Sequence, residues 1–172
     1  MTDSHDPLKS ALEALCKRVW PQEEVRHLKR LSGGASQETW SFDLEAVTGN
    51  TQSRPRGLIL RRAPHGEGVL KDGQGIGLAT EAAIILAAKA HGAPTPDVVY
   101  VCKPEDGLGS AYIMGRLTGE TLARRILRDE RYAQARTVLA GQCGAAMAAI
   151  HATPLDSLPE LPTADALAQI AL

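Results

Sequence analysis

The chain has 172 residues, 44% of them hydrophobic, which suits one ordinary domain or one and a fraction with a buried core and excludes wholesale disorder. With 19 basic and 20 acidic residues the net charge is -1, and only 3% of residues are aromatic. A basic nucleic-acid surface, a polybasic membrane anchor and a base-stacking platform are thereby excluded, and a small molecule or another protein remains as partner. Cys16, Cys102 and Cys143 are odd in number and far apart, so neither a disulfide framework nor a C-x-x-C site is indicated, and they read as reduced thiols of a cytoplasmic protein. The N-terminus lacks the basic flank and apolar run of a signal peptide, and no stretch nears the ~20 apolar residues of a membrane helix.

Asp6-Pro7 offers an N-cap and a first-turn proline, and Leu8, Ala11, Leu12, Leu15 and Val19 recur at helical spacing, which predicts an amphipathic helix over 7–19. Residues 25–32 and 37–44 alternate and carry Val, Thr, Trp and Phe, the pattern of two strands meeting at Ser32-Gly33-Gly34-Ala35-Ser36. AVTGNTQSRPR (46–56) is a polar turn, and GLILRR supplies the third strand of an antiparallel meander. Residues 63–77 are glycine-rich without periodicity and read as a mobile loop. TEAAIILAAKAHG then forms a second helix, starting at Thr80 and stopped by Gly92, with Pro94 and Pro96 preventing its continuation. VVYVCK and SAYIMGRL, separated by PEDGLG, read as a hairpin. Beyond Gly119 the chain is almost continuously helical, with a break expected near Asp129. The stretch VLAGQCGAAMAAIHA is apolar on nearly every side and expects protein all round it. The sequence ends about twenty residues later, so that packing is expected from a missing continuation or from a partner.

Gly33-Gly34 admits two readings: a plain hairpin turn, or a loop whose backbone N–H groups lie against anionic oxygens, because glycine permits close approach and unusual dihedrals. Strand alternation puts Ile59 and Arg61 on one face and Leu58 and Leu60 on the other, so a cation shares a face with a small apolar contact. Arg61 and Arg62 read equally as a solvated strand end. Glu81 sits in the first turn of the second helix, where the helix dipole alone accounts for it. GQGIG at 73–77 is not a dinucleotide fingerprint, since the preceding strand lies ten residues back.

The order of these parts is that of the amino-terminal lobe of protein-kinase-like phosphotransferases: Gly-rich hairpin, strand with a terminal cation, loop, helix with an early glutamate, hairpin, helical region. The chain resembles the aminoglycoside phosphotransferase and choline kinase-like superfamily, especially the bacterial branch related to the kinase-like domains that accompany acyl-CoA dehydrogenases. The resemblance is carried by LSGGASQETW (31–40), LILRRAP (58–64), ATEAAIILAA (79–88), GAPTPDVVYV (92–101), AYIMGRLTGETL (111–122) and AAMAAIHATP (145–154), which together cover most of residues 28–155. It implies an α+β fold: a kinase-like amino-terminal lobe, with a five-stranded antiparallel sheet and a packed helix, plus the first helices of a carboxy-terminal lobe. The corresponding divisions are an N-terminal helix (1–24), the lobe with its linker (25–117) and an incomplete helical lobe (118–172).

By position, the resemblance implies an ATP site in which Gly33, Gly34, Ala35 and Ser36 cover the phosphates. Arg61 stands where the family has a strand lysine, Glu81 is its ion-pair partner, and Met114, Gly115, Arg116 and Leu117 form the inter-lobe linker that meets the adenine edge. Arginine for lysine keeps the charge but changes the pairing geometry. The family activity is phosphoryl transfer from ATP, with Mg2+, to a small-molecule hydroxyl acceptor. The H-G-D catalytic loop and later magnesium-binding aspartate of the family are not found: after His151 the acidic residues are Asp156, Glu160 and Asp165. His151 reads as structural at a helix C-terminus. No catalytic residue and no metal ligand is therefore assigned, and the 172 residues are expected to be the nucleotide-binding portion of such an enzyme, inactive alone. The alternative is a non-catalytic nucleotide-binding or protein-interaction module that completes its core by oligomerisation.

Overall fold

A computed structural model describes residues 6–31, 37–47, 54–64 and 76–161. Helix α1 spans Asp6–Val19, followed by strands β1 (Glu23–Arg30), β2 (Glu38–Ala46) and β3 (Arg56–Arg62). Helix α2 (Leu78–Ala90) leads to β4 (Val98–Val101) and β5 (Ala111–Gly115), and the chain continues into α3 (Ala123–Arg128) and α4 (Ala133–His151). The five strands form one antiparallel sheet in the order β1-β2-β3-β5-β4. This is the α+β kinase-like amino-terminal lobe that the resemblance implied.

The alternation of the strands divides the apolar residues between two cores. Trp40, Phe42 and Leu44 of β2, Leu58 and Leu60 of β3 and Ala111 and Ile113 of β5 face one way and pack against Leu8, Leu12, Leu15 and Cys16 of α1. On the opposite face Tyr112 joins Ala63, Leu78 and Ala82, with Ile85, Val98, Val101 and Met114 around them. The sheet is thus covered by α1 on one side and by α2 on part of the other. The N-terminal helix, legible only as amphipathic, supplies a third of the buried residues of the larger core, Leu8, Leu12, Leu15 and Cys16.

Several boundaries shift for identifiable reasons. β1 carries an extra residue opposite β2: Arg26 pairs with Asp43 but Lys29 pairs with Ser41, and His27 between them adopts φ 53. A β-bulge of this kind breaks simple alternation and re-aims a side chain. Helix α2 starts at Leu78 rather than Thr80 and has no side-chain cap; burial of Leu78 in the second core anchors it. The turn between β4 and β5 closes through Gly107 in the left-handed region, φ 68. Asp106 in that turn accepts a hydrogen bond from the Lys103 N–H at 2.7 Å and pairs with Arg18, tying the hairpin to α1.

The expected break at Asp129 is present: α3 ends there, and Asp129 accepts from the Arg131 N–H to start a 3-10 turn leading into α4. The expected enclosure of α4 is not present among the described residues. Neither α3 nor α4 buries a residue, and Leu127, Val138, Leu139, Met147 and Ile150 are exposed. An all-apolar helix leaves such a surface when nothing is packed against it. Among the described residues no helix is long and apolar enough to cross a membrane.

Candidate functional site

The α2-facing side of the sheet is ordered in cross-strand rows. Thr39, Arg61 and Tyr112 form one row across β2, β3 and β5, and Ser41, Ile59 and Met114 form the next. Above the first row, α2 presents Glu81 from its first turn. Glu81 Oε1 lies 2.9 Å from Arg61 Nε and 2.8 Å from the Tyr112 hydroxyl, which donates to it. The Arg61 Nε–H is not aimed along its contact, so that pair is coulombic, whereas Tyr112 makes an aligned hydrogen bond. Burial, then the bond to Glu81, pushes the Tyr112 phenol above its ordinary titration range, so it remains protonated and a donor at neutral pH. The ion pair expected between Arg61 and Glu81 is present, and Tyr112, which joins it, was not foreseen. The signal for it was the lone tyrosine in AYIMG, on the same strand face as Met114.

Arg62 occupies the other face. Its Nε donates to the Leu108 carbonyl at 2.9 Å and its Nη1 lies 3.4 Å from Glu38 Oε2. The pair Arg61-Arg62 is therefore not a solvated strand end: alternation sends one guanidinium into a structural brace and the other towards the α2 face.

The linker residues are held more firmly than their positions suggested. Met114 packs in the α2-side core, the Gly115 N–H donates to the Asp97 carbonyl at 2.8 Å, and the Arg116 N–H donates to the Gly57 carbonyl at 2.9 Å. The Arg116 side chain crosses over Gly57, donating to Ser41 Oγ at 2.8 Å and to Asp43 Oδ1 at 2.6 Å. A Cβ at residue 57 would lie 2.6 Å from Arg116 Nη2, so the absence of a side chain opens this path. The second Asp43 oxygen is 3.1 Å from His27 Nδ1, delivered by the β1 bulge. Leu117, the last residue of the expected linker, is 72% exposed.

Gly33, Gly34, Ala35 and Ser36 lie outside the described residues, as do Gly73, Gln74 and Gly75 of the GQGIG stretch. The strands flanking the first group pair as a hairpin, with the Leu31 N–H donating to the Thr39 carbonyl at 2.8 Å. His151 closes α4 and is exposed. Among the described residues no three His, Cys, Asp or Glu side chains come together in a way that would hold a metal ion. A groove beside α3, lined by Leu122, Arg124, Arg128 and Asp129 among others, does not include Arg61 or Glu81.

The guanidinium, its carboxylate partner and the linker end of β5 thus share one face of a kinase-like sheet, and the family follows from comparison of the sequence. The model of the phosphotransferase enzyme family matches residues 27–169, from within β1 to beyond α4. The chain belongs to that family, within the aminoglycoside phosphotransferase and choline kinase-like superfamily. Neither a curated protein nor a solved structure matches it significantly.

Proposed function

We propose that this chain is the nucleotide-binding amino-terminal portion of an ATP-dependent phosphotransferase acting on a small-molecule hydroxyl. The observation that carries the reading is the Arg61–Glu81 pair at 2.9 Å, held on the sheet face that α2 only partly covers. ATP, when bound, supplies the transferable phosphoryl group. The chain's own residues bind and orient it: Arg61 meets phosphate oxygens, Glu81 balances and positions Arg61, and Gly33, Gly34, Ala35 and Ser36 cover the phosphates through backbone N–H groups. At the adenine end the Gly115 and Arg116 N–H groups already donate within the protein, so the base meets the linker mainly at Met114 and Leu117, with Arg116 holding the linker in place.

The finer parts of the reading belong to the same proposal. They are membership of the branch associated with acyl-CoA dehydrogenases, which rests on the six stretches of the resemblance taken together, a cytoplasmic location, and a division into an N-terminal helix (1–24), a nucleotide-binding lobe (25–117) and the start of a helical lobe (118–172). Inactivity of the 172-residue chain alone is part of the same proposal, supported by the lack of an H-G-D motif after α4 in these residues. The test is ATP affinity of the chain and of Arg61→Ala, expected to fall about tenfold or more on loss of a charge-assisted contact. Equal affinity in the two would remove Arg61 from the site.

A second reading is favoured by the exposed apolar residues of α3 and α4: a non-catalytic nucleotide-binding or protein-interaction module that completes its core by oligomerisation. It differs from the first reading in being non-catalytic and in what covers α4.

A further inference from the structure

Arg61 and Tyr112 are direct cross-strand partners on β3 and β5, and Glu81 descends from α2 onto both. Both contacts converge on one carboxylate oxygen, but only the tyrosine hydroxyl is aligned with it. Tyr112 is 1% exposed and packed among Ala63, Leu78 and Ala82, so its ring has one place to be. A phenylalanine would fill that place equally well, and the hydroxyl therefore contributes chiefly through Glu81. The terminal nitrogens of Arg61 form no hydrogen bond among the described residues, and the side chain is 33% exposed. A guanidinium can keep its Nε beside a carboxylate while its two terminal nitrogens face outwards as a fork; a lysine ammonium offers one nitrogen for both tasks.

We propose that Tyr112 is a positioning residue: by fixing Glu81, it holds Arg61 with both terminal nitrogens directed at the phosphates of the nucleotide, which accounts for arginine in place of the family's lysine. This rests on the reading of Arg61 as the phosphate ligand. The raised phenol titration fits the role, because a protonated hydroxyl donates to Glu81 throughout the neutral range.

The experiment compares ATP with adenosine as ligands of the 172-residue chain, of Tyr112→Phe, of Glu81→Gln and of the double variant. Adenosine lacks the phosphates and reports the base end of the site. The expected result is that Tyr112→Phe weakens ATP about five- to tenfold, the scale of one hydrogen bond to a charged group, while adenosine affinity stays unchanged. In the Glu81→Gln background, where the acceptor is a neutral amide oxygen, the tyrosine change costs less than it does in the wild-type chain. A purely structural hydroxyl would lower stability and leave the ATP-to-adenosine ratio as it was, and that outcome overturns the proposal while Arg61 remains the phosphate ligand. A wild-type chain that binds ATP no more tightly than adenosine overturns the underlying reading and this inference together. Should Tyr112→Phe fail to fold, Arg61→Lys gives the second readout: the fork predicts a similar loss of the ATP-to-adenosine ratio, and an undiminished ratio contradicts it.

Discussion

Arg116 shows how one missing Cβ can decide a side chain's path. Its guanidinium reaches Asp43 across β3 only because residue 57 is glycine, and the Asp43 carboxylate is then shared with His27 from the β1 bulge. The clamp joins the end of β5 to β2 across β3. Gly57→Ala places a methyl group 2.6 Å from Nη2, and the guanidinium must leave. The guanidinium is the far end of a flexible, partly exposed side chain, so the expected cost in denaturant unfolding is about 1 kcal/mol, the scale of the Ser41 and Asp43 contacts given up. Arg116→Ala should absorb most of that cost, because the methyl then meets no guanidinium. Equal destabilisation by Gly57→Ala in both backgrounds would show that the clamp is not what residue 57 accommodates.

At the scale of elements, the sheet depends on α1 as much as on its own strands. Leu12 is fully buried among Phe42, Leu60 and Ile113, and Leu12→Ala should cost about 2–5 kcal/mol of unfolding free energy, as large-to-small changes do in well-packed cores. A loss under 1 kcal/mol would mean that α1 is an appendage. Most of this architecture was legible in the sequence, since two-residue alternation in ETWSFDLE and GLILRR and the spacing of Leu8, Leu12 and Leu15 are local signals. What escaped was set by tertiary contacts. The β1 bulge at His27 follows from pairing with β2, the start of α2 follows from burial of Leu78, and the destination of α1 follows from the Trp40-Phe42-Leu44 face. The site divides in the same way. Arg61 and Glu81 were found by their order along the chain, whereas Tyr112 and the crossing of Arg116 depend on register, which no single segment encodes.

For the whole molecule the two halves differ in how they are stabilised. The sheet, α1 and α2 form two contiguous cores, while α3 and α4 contact chiefly each other and the 3-10 turn between them and bury no residue among themselves. Leu127, Val138, Leu139, Met147 and Ile150 are left in water, and apolar exposure on this scale favours association. If oligomerisation covers α4, sedimentation of the chain should show concentration-dependent self-association that Leu139→Glu with Ile150→Glu abolishes, with protection of α4 amides lost in the same variant. A monomer at all concentrations with α4 amides protected would exclude that arrangement and the second functional reading with it.

The nucleotide face is the central claim, and the most direct measurement of it is an amide NMR titration of the 172-residue chain with ATP, repeated on Arg61→Ala and on Arg62→Ala. ATP is expected to shift the signals of Gly33, Gly34, Arg61, Glu81, Tyr112 and Leu117 together and to leave Leu12 of α1 unmoved. The shifts should weaken about tenfold in apparent affinity in Arg61→Ala, and persist in Arg62→Ala, whose guanidinium braces the opposite face against the Leu108 carbonyl. Unmoved signals at Arg61, Glu81 and Leu117 at saturating ATP, or equal binding by the wild-type chain and Arg61→Ala, would contradict the account.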